Sequence, residues 1–299
     1  MKERLRPAWA LFFVLMLASA IASQETRPTD PDTPEPHAGA QAARANRTPD
    51  YQDLAWRVLW LGLRHPKANQ RVEAVKALSL MQGNRRAAAF AMRALNDPDP
   101  KVRAAAAATL GDLHVTAAAS ALRALLSDKE PAVMLSATYA LFLLKDAAAY
   151  EIYYAVLMGD KKTSAGLIQA QVDRLKDPKQ VVEMGLQEGM GFVPFGGMGY
   201  EAYRMLLKHD NSPVRATAAR YLALDPDPVT EDALIQTALA DKKAIVRQAA
   251  LDALAQRGDS RCIERLAQNL HEKIYAVRYR TAATIIHVGG VRAGKIPSK

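Results

Sequence analysis

Arg71, Arg103, Arg215, Arg247 and Arg278 return at matching places in a repeated pattern, and so do the acids Asp97, Asp128, Asp241 and Glu272. A row of guanidinium groups is an anion-binding device. A guanidinium matched each time by a carboxylate instead makes a ladder, each arginine bridging carboxylates or loop carbonyls of neighbouring units. Because function seldom repeats identically along a stack, the periodic pair reads as a structural ladder rather than as a site.

The remaining chemistry-bearing residues do not converge. His37, His65, His114, His209, His271 and His287 are scattered, with no H-E-x-x-H, and Cys262 stands alone, so no C-x-x-C exists. Ligand spacing for a metal is missing, as are the G-x-S-x-G nucleophile turn and the G-x4-G-K-[ST] phosphate loop. No catalytic residue, cofactor or metal is expected. Cys262 lies in an apolar helix and reads as an inert buried thiol, with no intrachain disulfide.

Two stretches are candidates for recognition rather than reaction. Tyr150, Tyr153 and Tyr154 are candidate anchors for a partner near the concave face, with the alternative that one or two of them pack inside. Residues 185–203 read G-L-Q-E-G-M-G-F-V-P-F-G-G-M-G-Y-E-A-Y, with six glycines by residue 199 and no charge between Glu188 and Glu201. Phe192, Phe195 and Tyr200 lie within it. The segment reads either as a plug filling a gap between repeats or as an exposed docking element.

The elements that carry these residues follow from a sequence echo. Gln70-Arg71…Ala74…Ala77-Leu78 is answered by Val102-Arg103…Ala106…Thr109-Leu110 and by Val133-Met134…Ala137…Ala140-Leu141. After a gap come Val214-Arg215…Ala218…Tyr221-Leu222, Val246-Arg247…Ala250…Ala253-Leu254 and Val277-Arg278…Thr281…Thr284-Ile285. The units start 32, 31, 81, 32 and 31 residues apart. Positions 0, +4, +7 and +8 form one face of a helix, with a small residue at +4 where a neighbour approaches closely. Gln70 and Met134 depart from the Val-Arg pair, and His65 and His209 depart from the acid five places ahead of it.

Asp99-Pro100 and Ser212-Pro213 read as N-caps followed by proline in the first turn. A second amphipathic run follows each first helix: 117–126, 231–240 and 261–270. Each unit is therefore two antiparallel helices, without strand-like alternation. The 81-residue gap has room for a degenerate repeat at 161–187 and the glycine-rich insertion. Thr48-Pro49-Asp50 opens a helix to about Leu63 that carries Trp56 and Trp60 and reads as an N-terminal cap.

The D-x4-V-R-x2-A-x2-A-L pattern resembles the HEAT-repeat family, in its short bacterial form similar to phycobilisome-lyase HEAT-like repeats. The resemblance covers most of residues 65–290. It implies an all-α solenoid of about seven two-helix repeats, with the Asp and Arg columns structural. It brings over no catalytic residue. Deoxyhypusine hydroxylase, a HEAT-like iron enzyme, uses several His-Glu pairs, whereas this chain has only His271-Glu272.

The ends read differently. Residues 1–22 form a leader: basic Lys2, Arg4 and Arg6, an apolar run from Ala8 to Leu17, and a small-x-small site at Ala20-Ile21-Ala22. Export to the periplasm or beyond follows, with Ser23 as the new N-terminus; a retained anchor is the alternative. Residues 23–48 are a Pro/Thr/Ala-rich disordered spacer, 49–290 the solenoid with its insertion near 185–200, and 291–299 a basic tail. The net charge is +9, or +7 without the leader. Because acids and bases are interspersed, this excess reads first as a solvated helical surface.

The expected function is an exported, non-catalytic scaffold holding a protein or peptide along the concave face made by its second helices. The alternatives are an enzyme or enzyme-maturation factor of the lyase type with a site near the insertion, or a binder of an anionic polymer or membrane surface. Export argues against nucleic acid.

Overall fold

Polar loops that fold back on their own acids start the first helices. Asp97 Oδ1 accepts from the Asp99 amide at 2.9 Å, Asp128 Oδ1 from Glu130 at 2.9 Å, Asp241 Oδ1 from Lys243 at 2.8 Å, and Glu272 Oε1 from Ile274 at 3.1 Å. These side chains satisfy backbone donors before each helix and set its entry angle. In the computed structural model, which describes residues 50–158 and 211–292, twelve α-helices result and no strand appears among the described residues. The described residues belong to one compact unit. The leader, the spacer, the degenerate repeat at 161–187 and the glycine-rich insertion fall outside the described residues.

The helices are α1 (Tyr51–Leu63), α2 (Ala68–Ala77), α3 (Arg85–Ala94), α4 (Pro100–Asp112), α5 (Ala119–Ala124), α6 (Pro131–Leu143) and α7 (Ala147–Met158). After the gap come α8 (Ser212–Leu222), α9 (Pro228–Ala240), α10 (Ala244–Arg257), α11 (Cys262–Leu266) and α12 (Tyr275–Arg292). Asp99 caps α4 as its sequence predicts, accepting from the Lys101 amide at 2.8 Å with Pro100 in the first turn. Asp50 caps α1, accepting from the Gln52 and Asp53 amides. The cap expected at Ser212 is instead Asn211; Ser212 is already helical and buried. The helix before the basic tail continues to Arg292.

Helices α2, α4, α6, α8, α10 and α12 are the first helices of six units. Their repeated positions form the core: Val102, Ala106, Leu110, Val133, Ala137, Leu141, Val246, Ala250, Leu254 and Val277 are all buried. Burying one such Leu or Val stabilises by about 1.5–3 kcal/mol, and the columns repeat that gain in each unit. Close approach is built in at Gly111, where an added Cβ would meet the Ala140 Cα at 2.7 Å. The hydroxyls of the +7 column reach across to the adjoining first helix. Thr109 Oγ1 donates to the Val75 carbonyl at 3.2 Å, and Thr284 Oγ1 to the Leu251 carbonyl at 3.3 Å. On α8 the same register is open: Val214 and Tyr221 are 56% and 74% exposed.

The order of the stack differs from the order of the chain. Helix α12 packs on α10 on one side and on α1 and α2 on the other, so the last described unit adjoins the first. The first helices thus run α8, α10, α12, α2, α4, α6. Helix α1 does not cap an end, as the sequence suggested. It covers α12 and touches the turn 267–271, taking the place that a second helix has in other units. The reason is local: α12 has no second helix of its own among the described residues, and α1 supplies an apolar face from the opposite end of the chain. Gly62 and Gly289 mark the seam, since a Cβ on either would collide with Tyr279 or Gln52 respectively.

Candidate interaction surface

The charged columns meet as ion pairs between successive units. Arg71 grips Asp97 with two bonds of 2.8 and 2.7 Å and gives its Nη1 to the His65 and Pro66 carbonyls. Arg103 grips Asp128 with two bonds of 2.9 Å and reaches the Asp97 and Pro98 carbonyls. Arg215 pairs with Asp241, and Arg247 with Glu272 at 2.6 Å. Arg278 ends the series: its Nη1 donates to the Glu272 carbonyl at 3.0 Å, and its guanidinium lies over the Tyr279 ring. The hydrogen bonds they donate to Asp97 and Asp128 push the Arg71 and Arg103 pKa values up. Burial pulls the Asp128 carboxyl upward, but the Arg103 bond and the Glu130 amide outweigh it, leaving it below the usual range. The Arg247 bond likewise lowers Glu272. With both functional groups consumed, the ladder offers no free anion site at these pairs.

The tyrosine candidates come together at the end of α6 and the start of α7. The Phe142 ring meets Tyr150 at 5.7 Å and Tyr153 at 5.8 Å, both edge-on. Tyr150 and Tyr154 are 50% and 64% exposed, and Phe142 is 43% exposed. Tyr153 is half-buried, and burial pushes its phenol up to about 12. Tyr153 is thus a packing residue that props up the cluster, while Tyr150 and Tyr154 present free ring area. Phe192, Phe195 and Tyr200 lie outside the described residues.

The repeated helix pairs and the inter-unit ladder have a counterpart in known sequence families: the HEAT-repeat model matches residues 57–152 and 202–286. The chain belongs to the HEAT-repeat family. No curated protein matches the chain.

This HEAT array also carries an aromatic–arginine group that periodicity did not reveal. Trp56 on α1 meets Phe90 on α3 at 6.2 Å. The Arg86 guanidinium lies 4.1 Å from the Trp56 ring centre and 5.8 Å from that of Phe90, and Arg93 lies 5.5 Å from Phe90. One turn along α1, Arg64 stacks on Trp60 at 4.9 Å. The available signal was composition: the α3 sequence RRAAAFAMRA has three arginines and no acid. Its neighbour in space, α1, lies about one repeat away in sequence.

A second cluster lies at the turn between α10 and α11. Glu231 is buried and bonds Arg261, which also holds Asp259. The Arg261 bond sends Asp259 down to about 2, whereas burial raises Glu231. Cys262 beside them is fully buried, and burial together with the Glu231 and Asp259 charges pushes its thiol up to about 12. A thiol so placed is protonated at neutral pH and is a poor nucleophile. A shallow depression lined by Asp225, Gln256, Arg257 and Asp259 opens nearby. Among the described residues no three His, Cys, Asp or Glu side chains converge as a metal site, and no helix is long and apolar enough to cross a membrane.

Proposed function

We propose that this HEAT array is an exported, non-catalytic scaffold that binds a protein or peptide partner along the layer of second helices. The observation that carries the reading is the pair Tyr150 and Tyr154 on α7, both open to solvent, with Tyr150 edge-on to Phe142, which Tyr153 also packs against. Rigid aromatic rings on a repeat surface supply large contact area at low entropic cost, as interface anchors do. Supporting it further, the recurring Arg–acid pairs are spent on internal pairing between units. Export rests on the leader at residues 1–22.

The test is affinity capture from envelope extract with the parent and a Tyr150→Ala/Tyr154→Ala variant. Equal melting temperatures with loss of the captured protein support the reading. Capture unaffected by the substitution overturns it at this surface. Export is checked separately by sequencing the N-terminus of the protein recovered from the cell envelope: Ser23 is expected, and an intact Met1 refutes cleavage.

A further inference from the structure

We propose that the aromatic–arginine group on α1 and α3 is a docking site for an acidic polypeptide segment. Five exposed arginines, Arg57, Arg85, Arg86 and Arg93 on these two helices and Arg64 at the C-cap of α1, have no carboxylate partner among the described residues. By contrast, Arg71, Arg103, Arg123, Arg215, Arg247, Arg261, Arg265 and Arg280 all form ion pairs, while Arg257 and Arg278 donate to backbone carbonyls. The two helices and their caps offer only Asp50 and Asp53 in return, and Asp50 is occupied by amides of the first turn.

Three of the five are also held in place. Arg86, Arg93 and Arg64 lie over the rings of Trp56, Phe90 and Trp60. Stacking on a ring face fixes the guanidinium plane and leaves its N–H edge free for a bidentate carboxylate. It also lowers the entropy that a flexible arginine would lose on binding. A polypeptide with carboxylates spaced along it matches a row of such edges spanning two neighbouring second helices. The half-buried Trp56 and Phe90 add apolar area between the charges. The inference rests on the scaffold reading in taking the second-helix layer as the docking face, but it concerns a different patch from Tyr150 and Tyr154.

The chain holds three tryptophans, Trp9, Trp56 and Trp60, so a full-length Trp9→Phe protein reports the patch through its own fluorescence. The probe is a capped decapeptide of alternating Glu and Ser. A saturable emission change is expected, weakening as salt rises through physiological strength. Arg86→Ala/Arg93→Ala is expected to weaken binding at least about tenfold, and Arg64→Ala alone to weaken it measurably. The Lys counterpart at residues 86 and 93 keeps the charge but loses the planar edge, so it falls between. Should the double alanine variant fold poorly by circular dichroism, Arg64→Ala and the lysine variant decide. No saturable change, equal binding of a Lys-Ser decapeptide, or alanine variants that bind like the parent overturns the proposal. Tighter binding of phosphatidylglycerol vesicles than of the peptide assigns the patch to a membrane surface and overturns it as well. Capture that still depends on Tyr150 and Tyr154 keeps the scaffold reading intact if the peptide fails.

Discussion

The Tyr279 hydroxyl donates a hydrogen bond of 2.7 Å to Gln70 Oε1 across 209 positions of sequence. Gln70 occupies the column where Val102, Val133, Val246 and Val277 stand in other units, and the partner explains the departure. The helix next to α2 in space is α12, whose buried Tyr279 needs an acceptor that valine cannot offer. Tyr279→Phe leaves Gln70 without this bond and is expected to lose about 1–3 kcal/mol in urea unfolding. Adding Gln70→Val to that variant restores part of the loss. If Tyr279→Phe unfolds like the parent, the seam between the two ends of the chain is not as described.

Gly111→Ala tests the close approach of α4 to α6. The new methyl would sit 2.7 Å from the Ala140 Cα, which is backbone and can yield only if a helix shifts. A loss of about 1–3 kcal/mol is expected. Gly258→Ala is the comparison, because its φ of 73° strains an alanine while its side-chain space is nearly open. About 1 kcal/mol is expected there. Equal melting temperatures for Gly111→Ala and the parent would contradict the packing.

Arg103→Met probes the ladder. The Arg103 and Asp128 side chains are only 12% and 9% exposed, so the variant strands a poorly solvated carboxylate. The expected loss at pH 7 is about 3–5 kcal/mol. The sign with pH follows from the lowered Asp128 pKa. Its contribution is present above the unfolded carboxylate value and disappears as pH falls through the lower folded value. The gap between parent and variant therefore narrows as pH falls through the carboxylate range, where the stranded acid, raised by burial once Arg103 is gone, protonates first. A gap that is constant from pH 7 to pH 3 counts against an ionic role.

Asp112 behaves in the opposite sense. Burial raises its carboxyl to about 6, against the opposing charges of His114 and Arg280. A raised acid favours the fold below its unfolded pKa, and that advantage is lost as pH rises through about 6. Asp112→Asn removes the titration. Its melting temperature is expected to fall less than that of the parent between pH 5 and pH 7.5, and parallel curves refute the assignment.

Much of this was legible in the residues because a repeat writes its contacts many times over. The small residue at +4, the aliphatic columns and the Asp99-Pro100 start each describe a contact between neighbours about 31 positions apart, and their recurrence separates them from chance. The arginine and acid columns could be matched for the same reason. What stayed hidden were contacts made once. Ser212 looked like a cap because it precedes proline, yet the helix starts a residue earlier than that rule implies. Arg86 over Trp56 joins helices about one repeat apart, but neither residue belongs to a repeated column, so the pairing itself was not announced.

The sequence by itself determined the helical unit, its period, the ladder and the family, since these depend on short-range spacing and on identical interfaces between adjacent units. Only the tertiary structure decided which units are adjacent. It set α12 against α1 and α2, turned an expected cap into the missing second helix of another unit, and placed Tyr279 on Gln70. The physical reason is that apolar faces are non-directional: the α1 face can be buried by any helix of matching shape. Which helix covers it is chosen by packing across the whole chain, through a glycine at Gly62 and the polar pair of Tyr279 and Gln70.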